Sequence, residues 1–429
     1  MPKLIFQSSS DKQKDKLEYF LKILSDKLSV TEDGGISLGT DGKYDTSTAC
    51  IYHALEKRLT RFSEFDETEM LYFIKQSVHQ CTRDGDFSVQ HFIKILFRQI
   101  KIARDVPEEP YVLYTPISID ARYPEHDLNG IRFGDAHLLF SKCLPKRFTF
   151  PYEIKKLLED EDNYMSVFPT NFNHLRVHIK ARSSRKALDQ ALLRADEIRA
   201  IWNLALNYEM DRFYYGPRKP YNEIVYGPYH TLHLESGKYA NDGYWRNETW
   251  CDSVRAYRLD DLKYGKLKHF EKFARNGLKK CLFRKDLETT LVLYVRSLDE
   301  PNPMTSLQKL WSVLEMVTGK PLKNDEVIKR ARFHIENRKY HKEQLNLIRG
   351  ARNRLVHDGI EKDEQYAIHY IRMLKMYVEH LLVFLLKHGS KFSSLDEFGW
   401  YLALPNDKQL VTRRISYMEL AQEILGKEK

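Results

Sequence analysis

The sequence predicts a multidomain, mainly α protein with an α+β middle and an all-α helical bundle towards the C-terminus. With 429 residues, the chain is longer than one hydrophobic core usually serves. Hydrophobic residues recur at spacings of three and four before residue 105 and again after residue 263, which is typical of amphipathic helices. Between these regions, short runs with alternating hydrophobic residues indicate strands.

These changes of pattern divide the chain into four regions. Residues 1–105 form an N-terminal helical region, and residues 106–262 form an α+β middle region that is a candidate sensor. Residues 263–392 form the helical bundle. Residues 393–429 form a tail with a short helix near 417–425.

The N-terminal region predicts four helices, each from an amphipathic stripe. The first carries its stripe at Leu17, Leu21 and Leu24, and Ser88 is a suitable N-cap for the last. The predicted helices cover residues 16–28, 50–62, 67–81 and 87–102.

The middle region begins with a β-type run that Pro116 is expected to close, because proline is rare inside a paired strand. A helix is predicted over residues 185–206, with Ser183 or Ser184 as its N-cap. The predicted strands cover residues 111–114, 132–140 and 175–181.

After residue 263 the chain returns to helices joined by short loops. Short loops favour antiparallel neighbours, so these helices are expected to form a bundle. The predicted helices lie near residues 266–280, 284–298, 304–318, 325–338, 341–357 and 362–387.

Composition and charge restrict the class of protein. The net charge of +9 favours an acidic partner such as nucleic acid.

The start of the chain lacks the apolar core of a signal peptide, and no apolar run approaches the roughly 20 residues that a spanning helix needs. Five scattered cysteines without a Cys-x-x-Cys pair fit reduced thiols and exclude a zinc ribbon. We therefore expect a cytoplasmic protein that does not use a membrane.

The sequence predicts neither a metal nor an organic cofactor. His230 and His233 would point to opposite faces of a strand. His174 and His178 would share a face, but no cysteine or carboxylate stands at a spacing that completes a metal site. A phosphate-binding Gly-Lys-Ser/Thr motif and a dinucleotide-binding Gly-x-Gly-x-x-Gly motif are both absent from the sequence.

Positive charge is concentrated between residues 326 and 357. This stretch contains nine Lys or Arg against three Glu, a net charge of +6 within 32 residues. It also contains His334, His341 and His357. Such density suits phosphate, because contacts to phosphate supply most of the non-specific affinity for nucleic acids.

The same stretch ends in an Arg-Asn-x-x-x-His motif, formed by Arg352, Asn353 and His357, with Gly359 as the expected residue after the helix. Asn353 and His357 are four residues apart and share one helix face. Arg352 lies roughly 140° from His357 around the helix, but its long side chain can reach towards the same pocket.

These three side chains suit cleavage of RNA by transesterification. Histidine can remove the proton of the 2′-OH or protonate the 5′-oxygen that leaves, because its ordinary pKa is about 6.5. Arginine stabilises charge on the phosphoryl oxygens. Asn353 can orient the histidine or the phosphate. The reaction needs no metal, and it spares DNA because DNA lacks the attacking 2′-OH.

The motif at Arg352, Asn353 and His357, at the end of a helix in an expected bundle, resembles the signature of HEPN ribonuclease domains. The run Leu355-Val356-His357-Asp358-Gly359 is most similar to their Apea-like branch, which occurs in bacterial antiviral defence proteins. Leu307 to Glu315 also resembles the first core helices of such domains. The resemblance covers residues 265–390.

The resemblance implies a homodimer in which two copies of the motif form one composite site. It implies endonucleolytic cleavage of single-stranded RNA or tRNA, leaving a 2′,3′-cyclic phosphate, with Arg352, Asn353 and His357 as catalytic residues. Glu315 is expected as a supporting polar contact. The basic side chains expected to bind RNA phosphates are Arg349, Arg354 and Lys342.

The biological role implied is an abortive-infection effector, with a phage-derived trigger sensed by residues 1–262. Two alternatives stay open. In the first, the chain is a catalytically inactive HEPN-like protein that binds RNA or a partner, and Arg352, Arg354 and His357 only complement the helix dipole. In the second, it is the toxin of a toxin–antitoxin pair.

Overall fold

The computed structural model describes residues 12–37, 43–59, 62, 64–120, 130–142, 146–150, 154, 169, 171–210, 221–240, 244–251, 254–321, 323–358, 364–405 and 407–426. The chain divides into two compact units, Met1–Glu108 and Glu109–Lys429. Within the described ranges, no helix is long and apolar enough to cross a membrane.

The first unit contains four helices and a short antiparallel hairpin among its described residues. The stripe of Leu17, Leu21 and Leu24 is buried, as the sequence predicts. Ser88 caps the fourth helix, because its side chain accepts a hydrogen bond from the His91 N–H at 3.3 Å. The elements are α1 (Lys12–Ser25), β1 (Ser29–Val30), β2 (Ile36–Ser37), α2 (Lys43–Leu59), α3 (Glu67–Asp84) and α4 (Val89–Asp105).

The second unit begins with a sheet. The described strands are β3 (Glu109–Ile117), β4 (Ile119–Asp120), β5 (Ile131–Phe133), β6 (Ala136–Ser141), β7 (Asn173–Ala181), β8 (Tyr229–Leu234), β9 (Trp245–Arg246) and β10 (Tyr257–Arg258). Six of these strands form the sheet, in the order β5-β6-β7-β3-β8-β9. All its described pairs are antiparallel, and β3 pairs with β7 along its whole length. The two short strands β4 and β10 pair in parallel.

Pro116 does not close the first strand of this sheet, contrary to the sequence prediction. Its carbonyl accepts a hydrogen bond from the Gly227 N–H at 2.7 Å, so its missing N–H also faces the β8 side. The pairing of β3 with β8 ends at Tyr114. The missing N–H of Pro116 therefore removes no hydrogen bond between β3 and β8, and β3 continues to Ile117.

The single strand predicted over residues 132–140 is in fact the hairpin β5–β6. Its turn contains Gly134 at φ +60°, a left-handed conformation that glycine adopts without strain. The helix expected to be capped by Ser183 or Ser184 is α5 (Ser184–Met210), and the Ser183 hydroxyl accepts from the Lys186 N–H at 3.2 Å. Helix α5 packs on β3, β6 and β7.

The remaining described helices up to Leu402 form a bundle that shares one hydrophobic core with the sheet and α5, whereas the last described helix is exposed along almost its whole length. That core contains Leu113 and Val177 of the sheet together with Trp311 of the bundle. The division between residues 106–262 and 263–392 therefore stays a prediction. The helices are α6 (Asp261–Lys280), α7 (Arg284–Asp299), α8 (Pro303–Val317), α9 (Asn324–Ala331), α10 (Arg338–Asp358), α11 (Glu364–His388), α12 (Leu395–Leu402) and α13 (Lys408–Gly426), with a 3₁₀ turn at Gly389–Lys391.

Helix boundaries in the bundle differ from the prediction in two places. Helix α9 ends at Ala331, where the sequence predicts a helix to residue 338, and Asn337 adopts a positive φ of 49° before α10 begins. Towards the end of the chain, α12 is an additional helix, and α13 is much longer than the predicted 417–425. The positive φ of Asn337 separates α9 from α10, and hydrophobic spacing does not reveal such a change of backbone conformation.

Helices α6 and α11 approach closely because of a glycine. A Cβ atom on Gly277 would lie 2.0 Å from the Leu386 carbonyl oxygen of α11. No side chain fits at that distance, so glycine permits the two backbones to touch. This contact positions α6 against α11.

A buried ionic network joins α5 to α7. Arg199 is 1% exposed and donates to Asp196 of its own helix at 2.7 Å and to Asp299 of α7 at 2.8 Å. Asp299 also accepts from the side chain of Asn222 at 2.7 Å. The network fixes the sheet-covering helix against the bundle, because each charged group is satisfied only when both helices are in place.

Two histidines of β8 predict a loss of stability in mild acid. His230 and His233 are buried, and burial lowers the pKa of each to about 4. In the unfolded chain the ordinary pKa is about 6.5. The contribution of these buried, neutral histidines to the free energy of unfolding is therefore fully present above pH 6.5. It is lost as the pH falls towards 4, by roughly 1–3 kcal/mol for each histidine.

Urea unfolding at pH 7.0 and pH 5.0 tests this expectation, and the free energy of unfolding should fall at the lower pH. The matched variant is His230→Gln, since glutamine does not titrate and can still bond the Thr115 hydroxyl, which lies 2.9 Å from His230 Nδ1. Its free energy of unfolding should depend less on pH. An unchanged pH dependence in this variant would contradict the assignment.

Candidate functional site

Helix α10 carries the Arg-Asn-x-x-x-His motif, and one of its sides packs in the bundle. Leu345, Ile348 and Ala351 are buried at spacings of three, and the helix packs against α8, α9 and α11. This buried face fixes the rotation of the helix about its axis. The rotation in turn decides which side chains face outwards.

A polar stripe runs along the outward side of α10. Lys342, Arg349 and Asn353 follow one another at spacings of seven and four residues, which places them within roughly 40° of one another around the helix. The backbone of His357 continues the helix at the next position of the stripe. The side chain of His357 lies outside the described part of the structure, as does Gly359.

Arg352 lies on the buried side of α10, because on an ideal helix it falls between Leu345 and Ile348. Its side chain is half-buried, and one guanidinium nitrogen donates to the Asn353 side-chain oxygen at 3.2 Å. Its Nε is buried and has no hydrogen-bond partner among the described residues. The structure thus brings together the first two residues of the motif.

The three candidate phosphate-binding side chains are in different situations. Arg349 forms an ion pair with Asp325 of α9 at 2.5 Å, although Asp325 is 86% exposed. Such an exposed pair is worth about 0–1 kcal/mol, so a phosphate can compete for the guanidinium. Lys342 and Arg354 are exposed and form no ion pair with any residue that the structure describes.

Much of the positive charge of this stretch is used to bind the main chain. Arg330 is buried and donates to the Thr318 carbonyl at 2.8 Å. Other cations also donate to main-chain carbonyl groups. These donors are Lys329 to Ala403, Arg332 to Arg338, and Arg338 to Phe333. The charge count from sequence therefore overstates the cations that remain for a ligand.

Glu315 of α8 accepts a hydrogen bond from the indole N–H of Trp311 at 2.7 Å. Trp311 is fully buried, so its N–H needs an acceptor. This contact gives Glu315 a role in the bundle. Its participation in the motif stays a prediction.

The other two histidines of the basic stretch have hydrogen-bond partners. His341 Nδ1 lies 2.6 Å from the Tyr377 hydroxyl, and His334 Nε2 lies 3.0 Å from the Tyr401 hydroxyl. His341 is 16 residues before His357, which corresponds to roughly 24 Å along the helix axis. These histidines therefore belong to the packing at the other end of α10.

Comparisons with known proteins did not identify a related protein or family. Searches of protein-family models, curated proteins and solved structures found no match to this chain. A site for a metal ion built from three or more His, Cys, Asp or Glu is not present among the residues with described positions.

Proposed function

We propose that this chain is a metal-independent endoribonuclease that cleaves RNA by attack of the 2′-OH on the adjacent phosphate. One observation carries the proposal. Arg352 is held against Asn353 at the end of a polar stripe on α10, and the helix leads from there to His357. A cation, an amide and an acid–base group at one helix end are the parts that this chemistry needs.

Each motif residue has a distinct task in the proposed reaction. His357 removes the proton from the 2′-OH or delivers one to the 5′-oxygen that leaves. Arg352 stabilises the charge on the phosphoryl oxygens through its guanidinium group. Asn353 orients Arg352 through the hydrogen bond that joins their side chains.

The proposed active form is a homodimer with a composite site. Transesterification needs one group to remove a proton and another to deliver one, whereas the motif contains a single histidine. Two copies of the chain supply both groups. By resemblance to HEPN ribonucleases, the substrate is single-stranded RNA or tRNA, and the role is antiphage defence in the cytoplasm. Residues 1–262 then sense the trigger.

The second candidate function is RNA binding without cleavage. Exposed Lys342 and Arg354 favour it, because such side chains attract phosphate whether or not the motif is active. An assay in EDTA separates the two functions. Purified protein is mixed with single-stranded RNA and with tRNA, and the products are analysed for a 2′,3′-cyclic phosphate.

Cleavage that persists in EDTA and leaves this terminus is the expected result. If the protein binds both RNAs but cleaves neither, the chain is an RNA-binding protein and the proposed nuclease activity is wrong. The matched control is single-stranded DNA of the same sequence, which should stay intact because it lacks the 2′-OH.

A further inference from the structure

A concave cleft of about 690 Å³ lies between the β5–β6 turn and helix α6. This volume is within the usual range for ligand sites. The residues that line it include six cations: Arg132, Lys268, Lys272, Arg275, Lys279 and Arg284. None of them belongs to the motif helix α10 or to its basic stretch.

Four of these cations form a regular row on α6. Lys268, Lys272, Arg275 and Lys279 follow at spacings of four, three and four residues. On an ideal helix they fall within roughly 60° of arc and extend over roughly 16 Å. Arg132, from the β5–β6 hairpin, faces them across the cleft.

Carboxylates neutralise only part of this charge. Glu271 is the one carboxylate among the described lining residues, and it is 3% exposed. Its oxygens already accept from Trp202 at 3.1 Å and from Lys268 and Arg275, each at 3.2 Å. Arg284 is likewise bound to Glu288 at 2.6 Å.

Three cations of the cleft remain without an ion pair to any described residue. They are Arg132, Lys272 and Lys279, and both lysines are exposed. Unpaired cations in a concave surface focus the electrostatic field and attract anions. The row is linear, so it matches a linear anion better than a compact one.

We propose that this cleft binds the sugar–phosphate backbone of a single-stranded nucleic acid. The proposal goes beyond the proposed cleavage, because it needs no chemistry and uses a different helix. Lys272 and Lys279 make the principal phosphate contacts, with Arg132 on the opposite wall. Contacts of this type hold a strand without reading its sequence.

The test measures the affinity of fluorescein-labelled 12-nucleotide deoxythymidine and uridine strands by anisotropy at several salt concentrations. The double variant Lys272→Gln, Lys279→Gln is expected to bind both strands at least tenfold more weakly at 50 mM salt. Its slope of log affinity against log salt should be shallower by about 1.4, since each phosphate contact on a single strand contributes about 0.7. The deoxy strand cannot be cleaved, so this result does not depend on the proposed nuclease activity.

The control variant is Lys285→Gln, Lys391→Gln, which removes the same two charges from exposed positions outside the cleft. It should bind both strands within about twofold of the wild-type protein. If both double variants lose affinity to the same extent, the effect comes from net charge alone and the proposal is wrong. No binding by the wild-type protein, or binding of phosphatidylserine vesicles alone through Lys272 and Lys279, would also overturn it.

Discussion

Alanine in place of His357 or Arg352 is expected to abolish detectable RNA cleavage. Loss of a general acid–base group lowers the rate by about 10²–10⁴-fold, and loss of a charge-stabilising donor by about 10²–10³-fold. The measurement is the single-turnover rate of cleavage of a labelled single-stranded RNA in EDTA. Toxicity on expression should disappear in the same two variants.

The control for this prediction is Arg354→Ala. Arg354 is exposed on the same helix, whereas Arg352 donates to the Asn353 amide, so Arg354 has the charge of Arg352 without this described contact. It should bind RNA more weakly at low salt and keep most of its cleavage rate at saturating RNA. If His357→Ala and Arg352→Ala cleave as fast as the wild-type protein, the motif is not the active site.

Arg199→Met is expected to be the most destabilising single substitution considered. Methionine approximates the volume of the side chain but leaves Asp196 and Asp299 buried without their shared cation. Removal of one partner from a buried ionic group costs about 3–5 kcal/mol. Asp196 keeps Arg296 and Asp299 keeps Asn222, so we expect the lower end of this range. Urea unfolding at pH 7 measures the loss.

The same helix provides a matched control. Arg185 pairs with Asp189 four residues later, and both side chains are largely exposed. Arg185→Met should therefore change the free energy of unfolding by less than about 0.5 kcal/mol. Similar losses for the two variants would show that burial of the Arg199 network adds nothing to stability.

Local patterns were sufficient for most of the helices and for the strand β7. Hydrophobic residues of α1 face the core of their unit at the predicted spacings, and the Ser88 cap needs only its own helix. Alternation along β7 places Leu175, Val177 and Ile179 in the core. Such features depend on neighbours within a few residues, so one sequence contains the information.

The fate of charged side chains was not predictable in the same way. Arg330 and Arg352 look alike in a charge count, yet one binds the Thr318 carbonyl and the other lies beside Asn353. The row on α6 was visible as spacing, at Lys268, Lys272 and Lys279. Its opposite wall, Arg132, is more than 130 residues away in the chain.

The sequence by itself determined the mainly helical class of this protein, its buried stripes and the motif from Arg352 to His357. Tertiary structure decided that Pro116 lies within a strand, that several cations bind carbonyl groups, and that others line a cleft. The physical reason is the separation along the chain over which each interaction acts. Helix periodicity and capping act over a few residues, whereas the partner of a long charged side chain is set by whichever distant segment the fold brings within its reach.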